Sequence, residues 1–98
     1  MSELGHHANR IRSKNAGPFW ITIDIFCDDD GYDIVAAIPT ETFAARLGVG
    51  KVKRFDLPDL NVVKLSLPRP QIQGSSRDRD MHGAALAEVL RAMPVNGG

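Results

Sequence analysis

The chain has 98 residues, of which 43% are hydrophobic and 24% are charged, and twelve basic side chains balance twelve acidic ones. A chain of about 100 residues supports one core and leaves little volume for a deep cleft, so we expect a single α+β domain over residues 1–98. Zero net charge argues against a nucleic-acid-binding protein. Because it gives little repulsion between copies, it favours an oligomer or a complex.

The lone cysteine and the N-terminal segment bear on the cellular compartment. Cys27 has no second cysteine to pair with and is expected to be a core residue. Residues 1–12 are polar and lack the apolar stretch of a secretory signal. No apolar run approaches the roughly 20 residues of a membrane span, so no membrane association is expected. These features predict a reducing, cytoplasmic location.

The first predicted elements are a short helix and a polar loop. Ser2 can cap a helix over residues 1–12, and Glu3 suits the positive end of the helix dipole. The segment Arg12–Pro18 is polar and ends in glycine and proline, which predicts a structured loop.

The segment Phe19–Cys27 is the clearest strand because it is rich in β-branched and aromatic side chains. One face is apolar and should meet the core, whereas the other is mixed, which indicates partial coverage by another surface. The apolar face consists of Phe19, Ile21, Ile23, Ile25 and Cys27, and the mixed face of Trp20, Thr22, Asp24 and Phe26.

Two helices are predicted to follow this strand. The first covers Asp30–Ile38 and is stopped by Pro39. The second covers Glu41–Leu47, with Thr40 as its cap and Gly48 at its end.

The rest of the chain predicts a hairpin, a loop and a last helix. The strands Lys51–Leu57 and Asn61–Leu67 are joined by a turn and read as an antiparallel pair. Gln71–Arg79 predicts a polar loop, Asp80–Met93 predicts a helix with an apolar stripe, and residues 94–98 are expected to be a disordered tail.

This order of elements predicts an α+β fold of the ferredoxin-like split βαβ type that lacks its last strand. We expect a three-stranded antiparallel or mixed sheet with helices mainly on one face.

The polar loop is the first candidate site. Arg12, Lys14 and Asn15 are strong hydrogen-bond donors beside Gly17, whose missing side chain lets a ligand approach the backbone. Such a loop suits a carboxylate or a phosphate. The alternative is a tight turn with solvated charges.

A second candidate segment runs from Arg69 to Asp80. Its proline residues stiffen the approach, and Gly74 and Ser75 can offer backbone amides; the alternative is a solvated loop with local ion pairs. If the strands that adjoin the two loops are antiparallel neighbours, one cationic site would form from Arg12, Lys14, Asn15, Arg69 and Ser75.

Lys14 and Asp24 are weak candidates for catalysis. A buried mid-strand carboxylate such as Asp24 can act as a general base, although such a residue is more often exposed or paired with arginine. The adjacent His6 and His7 point to different sides of a helix, and His82 is distant in sequence, so no metal site is predicted. No nucleotide or cofactor motif is present, so no cofactor is predicted.

The segment Ile11–Phe19, read as Ile-Arg-Ser-Lys-Asn-Ala-Gly-Pro-Phe, resembles a bacterial family of small proteins of unknown function (domain of unknown function 4387 type). These proteins are associated with AtuA-like proteins, named for acyclic terpene utilisation. The segments Thr22–Ile25, Pro68–Pro70, Gly74–Ser75 and Asp78–Asp80 extend the likeness over most of the chain.

The resemblance implies a ferredoxin-like domain fused to, or encoded beside, a large AtuA-like protein in the catabolism of carboxylic acids or acyl-CoA compounds. It assigns no catalytic roles, and this chain departs from the pattern at His82-Gly83 and in its alanine-rich last helix. The residues it implies as a site or interface are Arg12, Ser13, Lys14, Asn15, Gly17, Arg69, Gly74, Ser75, Asp78 and Asp80.

Three functions are compatible with these observations. The leading hypothesis is a non-catalytic or co-catalytic subunit that completes a site or a docking surface on a larger AtuA-like partner. The second is a free-standing homo-oligomer that binds an anionic metabolite, such as a carboxylate or an acyl-CoA. The third is a small lyase or isomerase that uses Lys14 or Asp24.

Overall fold

The computed structural model describes residues 2–17, 19–68 and 86–95, and its largest feature is an antiparallel sheet of four strands. The strands of the chain are β1 (Ser2–Glu3), β2 (Ala8–Asn15), β3 (Trp20–Cys27), β4 (Lys53–Leu57), β5 (Val62–Pro68) and β6 (Pro94–Val95). The helices are α1 (Asp29–Ala36), α2 (Thr40–Leu47) and α3, of which residues 86–91 are described.

The four-stranded sheet has the order β2-β3-β5-β4, and each strand is antiparallel to its neighbours. Strand β3 is central and pairs with β2 on one side and β5 on the other. Strands β3 and β4 therefore run in the same direction with β5 between them. A separate two-stranded sheet joins β1 to β6.

The core lies on one face of the four-stranded sheet. Ile23 of β3 and Leu65 of β5 are fully buried, and they belong to one cluster with Val35 of α1, Phe43 of α2 and Leu90 of α3. All three helices therefore cover this face. In the described ranges, no helix is both long and apolar enough to cross a membrane.

Helix α1 begins at an acidic turn. The Asp28 side chain accepts a 2.7 Å hydrogen bond from the Gly31 backbone nitrogen, and Asp29 and Asp30 lie in the first turn, where the helix dipole favours negative charge. Gly31 packs so closely on the start of β2 that an added Cβ would overlap the His7 carbonyl oxygen. No other residue type fits this contact without a shift of the backbone.

Arg54 of β4 ties the two helices to the sheet. Its side chain is only 12% exposed, and its guanidinium donates to the carbonyl oxygens of Ala36, at 2.7 Å, and Ile38. The same group pairs with Asp56 at 2.8 Å and stacks on the Phe43 ring at 5.4 Å. Carbonyls at the end of a helix lack partners within it, so the arginine supplies hydrogen bonds that α1 cannot make for itself.

Most of the predicted elements after residue 18 are confirmed within one or two residues at their ends. The predicted strand Phe19–Cys27 is β3, the two predicted helices are α1 and α2, and the predicted hairpin is β4 with β5. The predicted place of Phe19 on the core face is wrong, because β3 begins at Trp20 and Phe19 is 60% exposed. Gly48 ends α2 with a positive φ of 73°. The predicted Thr40 cap is wrong, because Thr40 is the first helical residue and the N-cap is Pro39.

The predicted N-terminal helix over residues 1–12 is wrong. Residues Ser2–Glu3 form β1, Leu4–His6 form a 3₁₀ turn, and the chain then enters β2. The buried residues Leu4, Ala8 and Ile11 recur at spacings of four and three, which is the signature of a helix. A β-bulge between Ala8 and Arg10 creates the spacing of three, since it adds one residue to the alternation of the strand.

Two further predictions need correction. The sheet has four strands rather than three because β2 adds to the outer side of β3, and the ferredoxin-like arrangement is not confirmed. Residues Pro94–Val95 pair with β1, and Val95 is buried, so the predicted disordered tail over residues 94–98 is wrong at these two positions. Residues 96–98, the predicted loop Gln71–Arg79 and the first part of the last predicted helix lie outside the described residues.

We expect Arg54→Ala to lower the free energy of unfolding by roughly 2–4 kcal/mol, because it leaves helix-end carbonyls without donors in a largely buried setting. Arg54→Lys should recover only part of this loss, since an ammonium cannot reproduce the planar fork of donors. Urea unfolding followed by circular dichroism measures both. The exposed Lys51, which lies outside the sheet, is the control, and a Lys51→Ala variant as unstable as Arg54→Ala would contradict the role of Arg54.

Candidate functional site

The candidate site is the face of the four-stranded sheet opposite the core, which we call the open face. Residues that pair directly across antiparallel strands point to the same side, so the register assigns the members of this face. They are Arg10, Arg12 and Lys14 of β2, Trp20, Thr22, Asp24 and Phe26 of β3, Val62, Lys64, Ser66 and Pro68 of β5, and Lys53, Phe55 and Leu57 of β4.

These side chains form rows that run across all four strands. One row is polar and reads Lys14, Thr22, Ser66, Lys53. The next reads Arg12, Asp24, Lys64, Phe55, and the third reads Arg10, Phe26, Val62, Leu57. The polar row therefore lies between the Trp20–Pro68 pair at the start of β3 and the more apolar third row at its end.

Positive charge dominates the open face although the whole chain is neutral. The face has five cations and one carboxylate, Asp24, among its assigned members. Asp24 pairs with Lys64 at 3.9 Å, and its charge offsets that of this one cation. Three of the twelve acidic residues, Asp28, Asp29 and Asp30, lie instead at the start of α1.

Two of the cations rest on aromatic rings. The Arg10 guanidinium lies 4.9 Å from the centre of the Phe26 ring, and the Lys53 ammonium lies 5.2 Å from the Trp20 ring. Such contacts hold long side chains along the sheet and keep their charges near its surface. Trp20 is nevertheless 39% exposed, and Phe55, beside Lys64, is 52% exposed.

Two polar atoms at the centre of the face are buried without a hydrogen bond to any described residue. They are Oγ1 of Thr22 and Oδ1 of Asp24. A buried polar atom without a hydrogen bond costs about 1–3 kcal/mol, so such atoms are uncommon and often mark a place where a further group binds.

The structure divides the first predicted site between two faces. Arg12 and Lys14 lie on the open face, whereas Ser13 and Asn15 pair with Ile23 and Ile21 and therefore point to the core side. The segment Arg12–Asn15 is a strand rather than the predicted loop, so the four residues do not form one cluster.

Gly17 lies in the turn between β2 and β3 and has a φ of 83°, a value that side chains other than glycine rarely adopt. An added Cβ would meet nothing within 4 Å, so the turn geometry explains the glycine without a ligand.

The second predicted site lies outside the described residues. This applies to Arg69, Gly74, Ser75, Asp78 and Asp80. The condition for the two loops to meet is confirmed, because β3 and β5 are antiparallel neighbours and Trp20 at the start of β3 pairs with Pro68 at the end of β5. The convergence of Arg69 and Ser75 with Lys14 stays a prediction.

Reasoning from the sequence missed Arg10, Lys53 and Lys64 as members of the cationic surface. The alternation of residues in its strand puts Lys64 on the face away from Val63 and Leu65, so the sequence does contain a signal for its position. Arg10 and Lys53 depend on the bulge in β2 and on the register between β4 and β5, which the sequence does not display.

The remaining chemical candidates are less organised. His7 Nε2 lies 2.6 Å from Ser2 Oγ, a contact within the N-terminal turn. Within the described ranges, no three histidine, cysteine or acidic side chains cluster as metal ligands do. Cys27 is buried as predicted, and burial, with a smaller effect from the charge of Asp28, raises the pKa of its thiol from 9.0 to about 11.

Comparison with known proteins gave one match. The model of a family described as Domain of unknown function (DUF4387) matches residues 4–93. No curated protein and no solved structure matches the chain.

The raised pKa of Cys27 predicts slow alkylation. At pH 8 a thiol of pKa about 11 has roughly a hundredfold less thiolate than one of pKa 9.0, so iodoacetamide should modify the native protein about a hundred times more slowly than the urea-unfolded chain. Because the pKa of this thiol is higher in the folded state than in the unfolded state, its contribution to the free energy of unfolding is fully present below pH 9. The contribution is lost as the pH rises towards 11. Equal alkylation rates for the native and unfolded chains, measured by mass spectrometry, would contradict the burial.

Proposed function

The chain belongs to the DUF4387 family, and we propose that it is a small accessory subunit that docks its open face on a larger AtuA-like protein in bacterial carboxylic acid or acyl-CoA catabolism. The identity of the partner rests on the resemblance of segment Ile11–Phe19. The mode of docking rests on the open face.

The observation that carries the proposal is the exposure of large apolar side chains on this face. Trp20, Phe55 and Leu57 are 39%, 52% and 37% exposed on one side of one sheet. Aromatic residues interspersed with arginine are typical of protein–protein contact surfaces, where a few such anchors supply most of the affinity. All three described helices pack on the other side of the sheet, so none of them covers this side.

The charges of the face indicate an acidic partner surface. Arg12 and Lys14 have no described carboxylate within salt-bridge distance, and Arg10 is engaged with a ring rather than an acid. Complementary charge speeds association and suppresses wrong partners, and salt screens this effect.

The arrangement supports an accessory role better than independent catalysis. The Lys14 side chain is opposite Thr22 and only diagonal to Asp24, a separation of about 7–8 Å in a sheet. Asp24 instead contacts Lys64. A lysine and a carboxylate that act on one reacting atom need to lie within hydrogen-bond reach of the same point.

We expect Trp20→Ser and Phe55→Ser each to weaken the complex with the AtuA-like protein of the same genome by about 30-fold, the effect of losing an anchor worth ~2 kcal/mol. Co-expression followed by size-exclusion chromatography with light scattering shows the complex, and titration of the purified proteins gives its affinity.

The control for these variants is Leu60→Ser. Leu60 is 69% exposed but lies in the 3₁₀ turn Pro58–Leu60, off the open face, so its loss should leave the affinity unchanged. Failure of the wild-type chain to form a complex with the AtuA-like protein would reject the proposal. Equal losses for Leu60→Ser would reject the open face as the docking surface.

A second candidate function, binding of a small anionic metabolite by a free-standing homo-oligomer, is favoured by the polar row. Thr22 and Ser66 lie side by side with Lys14 and Lys53 at the two ends of the row. The Thr22 hydroxyl is buried without a described hydrogen-bond partner. Two hydroxyl donors between two ammonium groups suit a carboxylate.

Thr22→Val tests this second function because it replaces the hydroxyl with a methyl of similar shape. We expect the variant to be as stable as the wild type or slightly more so, since a buried polar atom without a partner is removed. In the wild type, a carboxylate at about 100 times its Kd should raise the Tm by roughly 10–20 °C, and Thr22→Val should lose most of this shift.

Scanning fluorimetry with succinate, citrate and acetyl-CoA measures the shift. Lys51→Gln, which removes an exposed cation outside the sheet, is the control. A carboxylate shift of equal size in Thr22→Val and the wild type would exclude the polar row as the site.

A further inference from the structure

Among the described residues, strand β2 is an outer strand of the sheet and has a long edge with no strand beside it. It contains eight residues and pairs over seven registered positions with β3, its one neighbour within the described residues. An outer strand presents backbone N–H and C=O groups that another strand can pair with. The opposite outer strand, β4, is only five residues long.

A groove of about 420 Å³ runs between this edge and α3. Its β2 side includes Arg10, Ile11 and Arg12, and its α3 side includes Ala87, Glu88 and Arg91. The lining therefore combines three arginines with one acid and with small or apolar side chains. Arg91 is partly neutralised by Glu88 at 3.5 Å, so the net positive charge comes mainly from β2.

The cations of β2 have the period of a strand. Arg10, Arg12 and Lys14 occupy every second position and point to the open face, while Ile11 and Ser13 point to the other side. A strand added to this edge would place its own alternate side chains beside the three cations. We propose that the β2 edge binds an extended acidic segment by strand addition, with carboxylates at alternate positions opposite Arg10, Arg12 and Lys14.

The residues between the carboxylates would lie against the groove. Ile11 and Ala87 offer small apolar contacts there, whereas Glu88 disfavours a second carboxylate. The edge therefore prefers acidic and neutral residues in alternation over an uninterrupted acidic run. In strand addition generally, the main chain supplies affinity and the alternating side chains supply specificity.

Two other occupants fit less well. If two copies paired through β2, the cations of one strand would lie opposite the cations of the other. Like charges opposite one another destabilise a strand pair. A single-stranded nucleic acid binds by stacking bases on free aromatic rings. Here Phe26 and Trp20 have Arg10 and Lys53 over their rings, and the exposed Phe55 lies on β4, at the opposite edge of the sheet from β2.

This inference deepens the proposed function, since the segment would belong to the docking partner, but its test needs only the present chain. The probe is a capped heptapeptide of alternating threonine and glutamate. Trp20, the only tryptophan of the chain, lies on the open face and reports binding by its fluorescence. We expect saturable binding that weakens at least about tenfold between low and high salt, and tenfold weaker or no binding of the peptide with lysine in place of glutamate.

Backbone methylation separates strand addition from simple charge attraction. In an added strand, the N–H groups of alternate residues point to β2 and the others point away. One peptide is N-methylated on its threonines and another on its glutamates. Strand addition requires that one of the two loses binding and that the other retains it. Equal binding of both methylated peptides would overturn the proposal, as would the absence of binding by the parent peptide.

Variants locate the site on the chain. Arg12→Gln and Lys14→Gln should each weaken the parent peptide by about tenfold, whereas Lys51→Gln should leave the affinity unchanged, with folding checked by circular dichroism. Stronger binding of an oligothymidylate than of the peptide, lost in the same variants, would overturn the proposal in favour of a nucleic acid.

The outcome is independent of the partner test. Peptide binding without a complex with the AtuA-like protein would reject only the proposed partner. A complex that depends on Trp20 and Phe55, with no peptide binding at β2, would reject only strand addition.

Discussion

The anchoring of the helices by Arg54 decides which side of the sheet is covered. Its guanidinium donates to carbonyls at the end of α1 and in the connection to α2, while its own strand, β4, belongs to the sheet. The stacking on Phe43 adds a contact with α2. Because both helices are held to the same face, the apolar residues of β3 and β5 are buried there. The other face has to be stabilised by its own side chains.

Among the described residues, the open face is covered by cations laid over aromatic rings rather than by a second layer of helices. This arrangement shields part of the apolar area and leaves Trp20 and Phe55 partly exposed. A chain with no net charge can thus have a basic face, since Asp24 is the one carboxylate among the assigned members of the open face. Net charge therefore says little about partners when one face of a small domain has an excess of one sign.

The sequence predicts the central part of this fold well because its signals are local. The alternation in β3, the proline and glycine residues around α2 and the turn between β4 and β5 all act within a few residues of the elements they define. The N-terminal segment is the exception. Ser2 and Glu3, which suit the start of a helix, lie in a short strand, and a bulge in β2 gives the buried residues there the spacing of a helix. Nothing in the local sequence identifies such a bulge.

The candidate site also contains some residues that the sequence predicts and others that only tertiary structure reveals. The sequence predicts Arg12 and Lys14 as donors of a polar loop with Asn15, and the structure places both on the open face. Asn15 points to the core side because the segment is a strand rather than a loop. Lys53 lies on the open face only because β4 pairs with β5 in this register. The role of Arg54 depends on hydrogen bonds to carbonyls about sixteen residues away in sequence. Contacts of this kind depend on tertiary structure, and a single sequence does not reveal them.

The pairing of β1 with β6 has a practical consequence for building larger proteins around this domain. Ser2 lies opposite Val95, and the Leu4 nitrogen donates to the Met93 carbonyl oxygen at 2.8 Å, so the two ends of the described chain leave the domain side by side. A domain with adjacent ends can be inserted into a surface loop of a host protein without forcing that loop apart. The same geometry allows the ends to be joined and new ones opened elsewhere, so that fluorescent or affinity modules can be attached away from the open face.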